Sequence, residues 1–306
     1  MNIHIATAPL PQNAAATVAA PNSRQKLLMC APDHFGVNYV INPWMHGNRG
    51  RIDHALSVRQ WNNLKDAVAA HAEITLIEPQ PNLPDMVFTA NAGMVLGNVA
   101  VASRFRHAAR QGEERFFSQW FEDNGFPLAP WPEDILFEGA GDALLDRGQP
   151  LIWCGFGFRS DETAPAAHER IFKRPVVGLR LVDPRFYHLD TCFCPLEGGY
   201  LLYYPEAFDV ASRAKIAANV APEKRIAAGT EDAEQYACNA VDLDRHVFLN
   251  GASEELQEKL RAAGFAPVVV PLSEFMRSGG AAKCLTLKLK ERLAASGPDA
   301  WNGGRP

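Results

Sequence analysis

The sequence reads as an α/β chain. Short β-rich runs bounded by Gly, Pro, Asn or Asp alternate with amphipathic stretches from about residue 26 to residue 293, and no Ser/Gly linker or shift of composition separates them. The 306 residues are 47% hydrophobic and 21% charged, which excludes a mostly disordered or collagen-like chain. This length suggests either two domains or one large unit, and the missing linker favours one domain over 26–293. Lys and Arg number 30 against 35 Asp and Glu, interspersed to a net charge of −5, so the basic footprint of a nucleic-acid binder is missing. No apolar run approaches the ~18 residues that would span a bilayer.

Residues 1–25 are Ala/Pro/Asn-rich, carry no acid and lack the compact apolar stretch of a secretory signal, so they read as a flexible leader. Residues 294–306 read as a flexible tail. Six cysteines are too few to staple a chain of this length, and a reducing, cytoplasmic setting is expected.

Leu56, Trp61, Leu64 and Val68 recur at helical spacing and predict a helix over 53–72; Phe116, Phe117, Trp120 and Phe121 predict another over 113–124. A third, over 253–263, is opened by Ser253 as cap and closed by Gly264. Strands are expected at 74–77, 86–89, 94–101, 143–145, 151–153, 176–181, 200–204, 246–249 and 268–270. One strand–strand–helix unit per ~50–60 residues gives about five units, although no literal repeat is visible.

Several segments can carry chemistry. In Ser278-Gly-Gly-Ala-Ala-Lys-Cys284-Leu-Thr-Leu a cysteine follows a glycine-rich turn and heads a run in which Leu285, Leu287 and Leu289 alternate. The spacing alone leaves Cys284 open between an inert buried thiol and a nucleophile, with Lys283 beside it able to favour the thiolate. His188 and Asp190 are two apart, which on an extended strand puts both on one face, as a structural hydrogen bond or as an acid–base pair for a cation. Cys192 and Cys194 just beyond read as core thiols, since no second Cys/His pair stands at ligand spacing. Glu138 and Asp142 flank a Gly-Ala-Gly turn that lets backbone and carboxylates approach a ligand, or is a surface turn; it lacks the third glycine of a dinucleotide fingerprint. Asn91 closes an apolar strand that begins after Asp85, Arg104, Arg106 and Arg110 follow as solvated groups or a carboxylate clamp, and Asn42-Pro-Trp-Met reads as an aromatic-anchored loop.

The chain order Asn91, Arg110, Glu138, His188, Asp190, Cys284 resembles the guanidine-modifying enzymes of the pentein superfamily, over roughly residues 26 to 290. Within it, Asn42-Pro-Trp-Met, Phe88-Thr-Ala-Asn91-Ala-Gly, Phe137-Glu138-Gly-Ala-Gly-Asp and the Cys284 segment look most like the arginine dihydrolase module, also found at the front of a bifunctional enzyme. The resemblance implies a five-bladed α/β propeller of ββαβ units with a central site, no metal and no organic cofactor. It implies Cys284 as nucleophile, His188 as proton shuttle, Glu138 and Asp190 as the anions that grip a guanidinium, and Arg110 with Arg159 as holders of the substrate carboxylate. Family members ordinarily place an aspartate where this chain has Asn91. An amide there, with Asn42 as a second, can serve first a guanidinium N–H and then a urea oxygen. The implied reaction is arginine to citrulline to ornithine. Because the chain stops at Pro306, the ornithine-consuming domain of the bifunctional enzyme is expected to be absent and ornithine to be released. A deiminase, a dimethylargininase, an amidinotransferase and the non-enzymatic ribosome-binding member of the fold are the alternatives. The expected partner is a small-molecule substrate, with no nucleic acid and no membrane, and homo-oligomerisation is left open.

Overall fold

A computed structural model describes residues 24–291. Residues 1–23 of the expected leader and the whole expected tail, 294–306, lie outside the described residues. Strand β1 (Gln25–Cys30) pairs in parallel with β2 (Ala72–Ile77), the helix His54–Ala69 making the crossover. That helix begins where the Asp53 side chain accepts the Leu56 N–H, and it buries Trp61, Leu64 and Val68, the predicted face. β3 (Gly93–Leu96) and β4 (Val99–Ala102) form a hairpin. After the helix Glu114–Asp123, the third strand of their sheet is reduced to one parallel bridge between Ala100 and Leu128.

The next three units are complete. β5 (Ala143–Leu145) and β6 (Ile152–Phe156) are antiparallel, and β7 (Val176–Arg180) joins in parallel after the helix Ala164–Phe172. β8 (Phe193–Leu196), β9 (Tyr200–Tyr203) and β10 (Arg225–Ala227) repeat this around Val210–Asn219. β11 (Val241–Leu243), β12 (His246–Leu249) and β13 (Ala266–Val269) repeat it around Glu254–Ala262, which Ser253 caps. β14 (Leu287–Lys290) then returns to pair antiparallel with β1, so the last strand supplies the hairpin partner that the first sheet lacks. Five sheets of ββαβ type, closed by the two ends of the described chain, are the propeller that the resemblance implied.

Apolar clusters lie between neighbouring sheets rather than in one centre. Leu28, Val95, Phe117 and Leu287 join the first sheet to the second, and Leu27, Trp61, Val241 and Phe248 join the first to the fifth. Each such side chain contributes about 1.5–3 kcal/mol on burial, which makes the contacts between sheets the main stabilising term. Among the described residues no helix is long and apolar enough to cross a membrane.

Four sequence expectations need correction. Residues 86–89 form no strand; Pro84–Val87 and Thr89–Ala92 are two 3-10 turns, with Pro84 fixing the first position and Arg110 holding the Asp85 carbonyl. The single strand expected at 94–101 is the β3–β4 hairpin, folded back at Gly97 with φ +66°. His188 is extended but Leu189–Thr191 is a 3-10 turn, closed by the Thr191 hydroxyl on the His188 carbonyl at 2.6 Å, so His188 and Asp190 do not share a strand face. Cys284 does not head a strand; it sits in a turn and pairing begins at Leu287. Three of these turns are buried and their apolar residues suggested strands, whereas the exposed hairpin turn at Gly97 interrupts an apolar run.

Candidate active site

A tight turn precedes one hairpin strand of every sheet, the first in chain order except in the sheet that β14 completes: Thr89–Ala92 before β3, Gly139–Gly141 before β5, Leu189–Thr191 before β8, one near 235–239 before β11, and one near 282–285 before β14. Hydrogen bonds join each turn to the next. The Ala90 N–H donates to the Cys284 carbonyl (3.1 Å), Asn91 Nδ2 to the Glu138 carbonyl (3.0 Å), and the Leu189 N–H to Asp142 Oδ1 (3.0 Å). Asn239 Nδ2 donates to the Asp190 carbonyl (2.9 Å), and the Cys284 N–H donates to Asn239 Oδ1 (3.2 Å), which closes the ring. The sequence-predicted residues are thereby delivered to one place from different sheets.

On one wall, Glu138 Oε2 accepts His188 Nε2 at 2.8 Å and Arg159 Nη1 at 3.0 Å, while Oε1 accepts the Arg106 N–H at 3.1 Å. Burial opposes the Glu138 charge, but Arg159 and then His188 overcome it and hold the carboxyl well below the usual carboxylate range. Arg159 lies over the Tyr187 ring at 4.5 Å and donates to the Ile41 carbonyl at 3.0 Å. Asp142 takes the Ser160 hydroxyl at 2.6 Å, and burial pushes its carboxyl up to about 6.

On the facing wall, Cys284 Sγ lies 3.1 Å from Asn239 Nδ2 and 3.5 Å from Asp190 Oδ2. Burial, and after it the neighbouring Asp190, pushes the thiol well above its ordinary value. Asp190 itself is pushed up to about 7 by burial despite the offsetting charge of Lys283, and its Oδ1 has no hydrogen-bond partner. A carboxylate in this state gains from the arrival of a cation.

Arg110 is buried and directs four of its five N–H groups at Glu113, the Asn91 amide oxygen (2.8 Å) and the Asp85 carbonyl. One remains, against three on Arg159. Asn91 keeps one amide N–H after the bond to Glu138. The Asn42 oxygen caps the turn Pro43–Met45 and its nitrogen donates to the Ser278 carbonyl, so its acceptor is already occupied. One cavity is lined by Asn42, Asn91, Arg110, Arg159, His188 and Cys284, with Glu138 and Asp190 bonded to its walls. All eight sequence-predicted residues therefore meet, although Glu138 faces His188 and Arg159 with both oxygens occupied rather than standing open.

Arg106 turns away to Asp161 at 2.5 Å. Cys192 and Cys194 are buried, and among the described residues no group of His, Cys, Asp and Glu is placed to hold a metal. Gly279 has φ +88°, and a Cβ there would come 2.6 Å from the Tyr187 hydroxyl. Sequence reasoning missed Asp85, a buried cavity residue that accepts Tyr39 and Ser278 hydroxyls, and Asn239. The recurring turn before one hairpin strand of each sheet is the signal that finds Asn239, which stands two residues ahead of β11 as Asn91 stands two ahead of β3.

A family model for eukaryotic N,N-dimethylarginine dimethylhydrolase matches residues 32–291. The chain is 52% identical over 269 residues to the bifunctional arginine dihydrolase/ornithine cyclodeaminase of Nostoc, covering 88% of this chain and 38% of that one. It is 39% identical to the N(G),N(G)-dimethylarginine dimethylaminohydrolase of Mycobacterium tuberculosis, covering 90% of this chain and 91% of the other. The solved N-terminal domain of ArgZ, a cyanobacterial arginine dihydrolase bound to its product, superposes with a TM-score of 0.87 at 51% identity, covering 88% and 98%. An asparagine-to-serine variant of that domain was solved covalently bound to a reaction intermediate. The chain thus spans well under half the length of the bifunctional relatives. A dimethylarginine dimethylaminohydrolase at 19% identity and a TM-score of 0.72 shares the fold. Ring of turns, five ββαβ sheets and sequence kinship agree: the chain belongs to the N,N-dimethylarginine dimethylhydrolase family of the pentein superfamily, close to its arginine dihydrolases.

Proposed function

We propose that this chain is an arginine dihydrolase, a hydrolase of the C–N bonds of linear amidines that works through Cys284. The observation that carries the reading is the pairing of Cys284 Sγ with a half-satisfied Asp190 (3.5 Å) across a cavity from the Glu138-His188-Arg159 cluster. A planar cation is welcome beside Asp190, and the free N–H groups of Arg159 and Arg110 suit its carboxylate end.

Fixing the guanidinium places its carbon under the sulfur. The Cys284 thiolate adds to give a tetrahedral adduct, His188 protonates the departing amine, and ammonia leaves an amidino-thioether. His188, steadied by the Glu138 anion, then takes a proton from the water that releases citrulline. In the second round the sulfur adds to the urea carbon and a second ammonia leaves. Water then frees the nitrogen-bound carbamate, which loses carbon dioxide to give ornithine. The remaining N–H of Asn91 is the donor that the neutral urea oxygen requires, and an aspartate could not supply it. A single catalytic domain over 26–293, action on free arginine and a cytoplasmic location belong to the same reading.

Family membership favours one other reading: hydrolysis of dimethylarginine to citrulline and dimethylamine. Mass spectrometry of the products from arginine, citrulline and dimethylarginine in parallel tests both. Ornithine with two ammonia per arginine, and ornithine from citrulline alone, is the expected result. Citrulline accumulating without ornithine reduces the activity to a deiminase, and dimethylamine as the main product supports the second reading.

A further inference from the structure

Asn239 is fully buried, and its amide is used at every position. Oδ1 accepts the backbone N–H groups of Ala281, Lys283 and Cys284 at 3.1, 3.1 and 3.2 Å, which fixes the turn that presents the sulfur. Of the two hydrogens on Nδ2, one goes to the Asp190 carbonyl and the other to Cys284 Sγ at 3.1 Å. The same amide therefore ties together the two turns that carry the nucleophile and its neighbouring carboxylate, and it is the side-chain donor that reaches the sulfur.

We infer that Asn239 is a further catalytic residue, whose Nδ2–H stabilises the Cys284 thiolate while its Oδ1 sets the position of the sulfur. The inference rests on Cys284 being the nucleophile. The two contacts to Sγ respond oppositely to ionisation. A thiol donates to Asp190 Oδ2, whereas a thiolate is repelled by it and draws closer to an N–H donor. Asp190, Lys283, Tyr187 and Tyr236 are the ionisable groups that also act on this sulfur; the two tyrosines are neutral in the working range, since burial raises both far above their ordinary value. Asp190 opposes the thiolate, while the Ala281 backbone N–H, the Asn239 amide and the Lys283 ammonium favour it.

Two substitutions separate loss of the donor from added charge. Asn239→Asp keeps an oxygen for the three backbone donors but sets a second oxygen of an ionisable carboxyl where Nδ2 met the sulfur and the Asp190 carbonyl; Asn239→Ala removes the amide and adds no charge. The measurement is the pH dependence of iodoacetamide alkylation at Cys284 in the substrate-free protein, followed on the Cys284 peptide by mass spectrometry, beside thermal unfolding. In Asn239→Asp the alkylation midpoint is expected to rise by about one pH unit or more, a roughly tenfold loss of thiolate near neutrality, with a lower unfolding temperature as well, because the new oxygen faces the Asp190 carbonyl. In Asn239→Ala both the midpoint and the unfolding temperature should move. An unchanged midpoint in whichever variant folds, or failure of both to fold, overturns the inference and leaves a structural tie. Because alkylation needs no substrate, wild-type protein that alkylates as expected yet leaves arginine intact would sink the proposed function and not this one.

Discussion

Glu138 and Asp190 are both buried carboxylates on neighbouring turns of one ring, yet their surroundings differ. Glu138 accepts three hydrogen bonds, two of them from Arg159 and His188, and stays charged. Asp190 has an oxygen without a partner and a carboxyl pushed up to about 7 by burial. A saturated carboxylate orients what it touches, and an unsaturated one waits for a cation. On the proposed function, the wall with His188 is built before substrate arrives, while the wall with Cys284 is completed by it.

The two acids also differ in the sign of their linkage to pH. Glu138 is held below its ordinary value, so its stabilisation is present above the usual carboxylate range and is lost only in strong acid. Asp190 is raised from 3.8 to about 7, so the folded protein holds that proton more tightly than the unfolded chain does. Its contribution is full below the ordinary value and fades as pH rises toward about 7.

The contrast breaks most severely at Glu138. Glu138→Gln removes the anion from Arg159 and His188 and should lower kcat for arginine about a thousandfold, with a smaller change in KM, in steady-state ammonia release. Asp190→Asn should cost about tenfold to a hundredfold in kcat/KM. Wild-type kcat/KM should rise through about pH 7 as Asp190 ionises, and this variant should lack that rise. Thermal unfolding between pH 4 and 7 should show the variant gaining on wild type toward the upper end. The smallest effect is expected at Ser160, which donates to Asp142 at 2.6 Å and accepts the Glu138 N–H at 3.1 Å. Ser160→Ala should lower stability by about 1–2 kcal/mol, read as a few degrees of unfolding temperature, and leave kcat within a few-fold.

Much of this site was legible from local residue types. Cys284, His188, Glu138 and Arg110 occur in glycine-marked or polar segments, and such residues are buried only with partners. Arg110 illustrates the limit. Its helix position suggested a solvated group or a clamp, and Glu113, three residues on, binds it at 2.7 Å and takes two of its five N–H groups inward. Asn239 escaped for another reason: only its place two residues ahead of β11 marks it, and its value comes from the Asp190 and Cys284 turns, 49 and 45 residues away.

By itself the sequence determined the alternation of strands and helices, the amphipathic faces of His54–Ala69 and Glu114–Asp123, and the residue types able to act on a guanidinium, because periodicity and side-chain chemistry are local properties. Tertiary structure alone decided that buried turns rather than strands carry Asn91, His188, Asp190 and Cys284, which carboxylate is satisfied, and which amide touches the sulfur. Those outcomes depend on hydrogen bonds between sheets far apart in the chain, and the ring exists only once β14 has closed on β1.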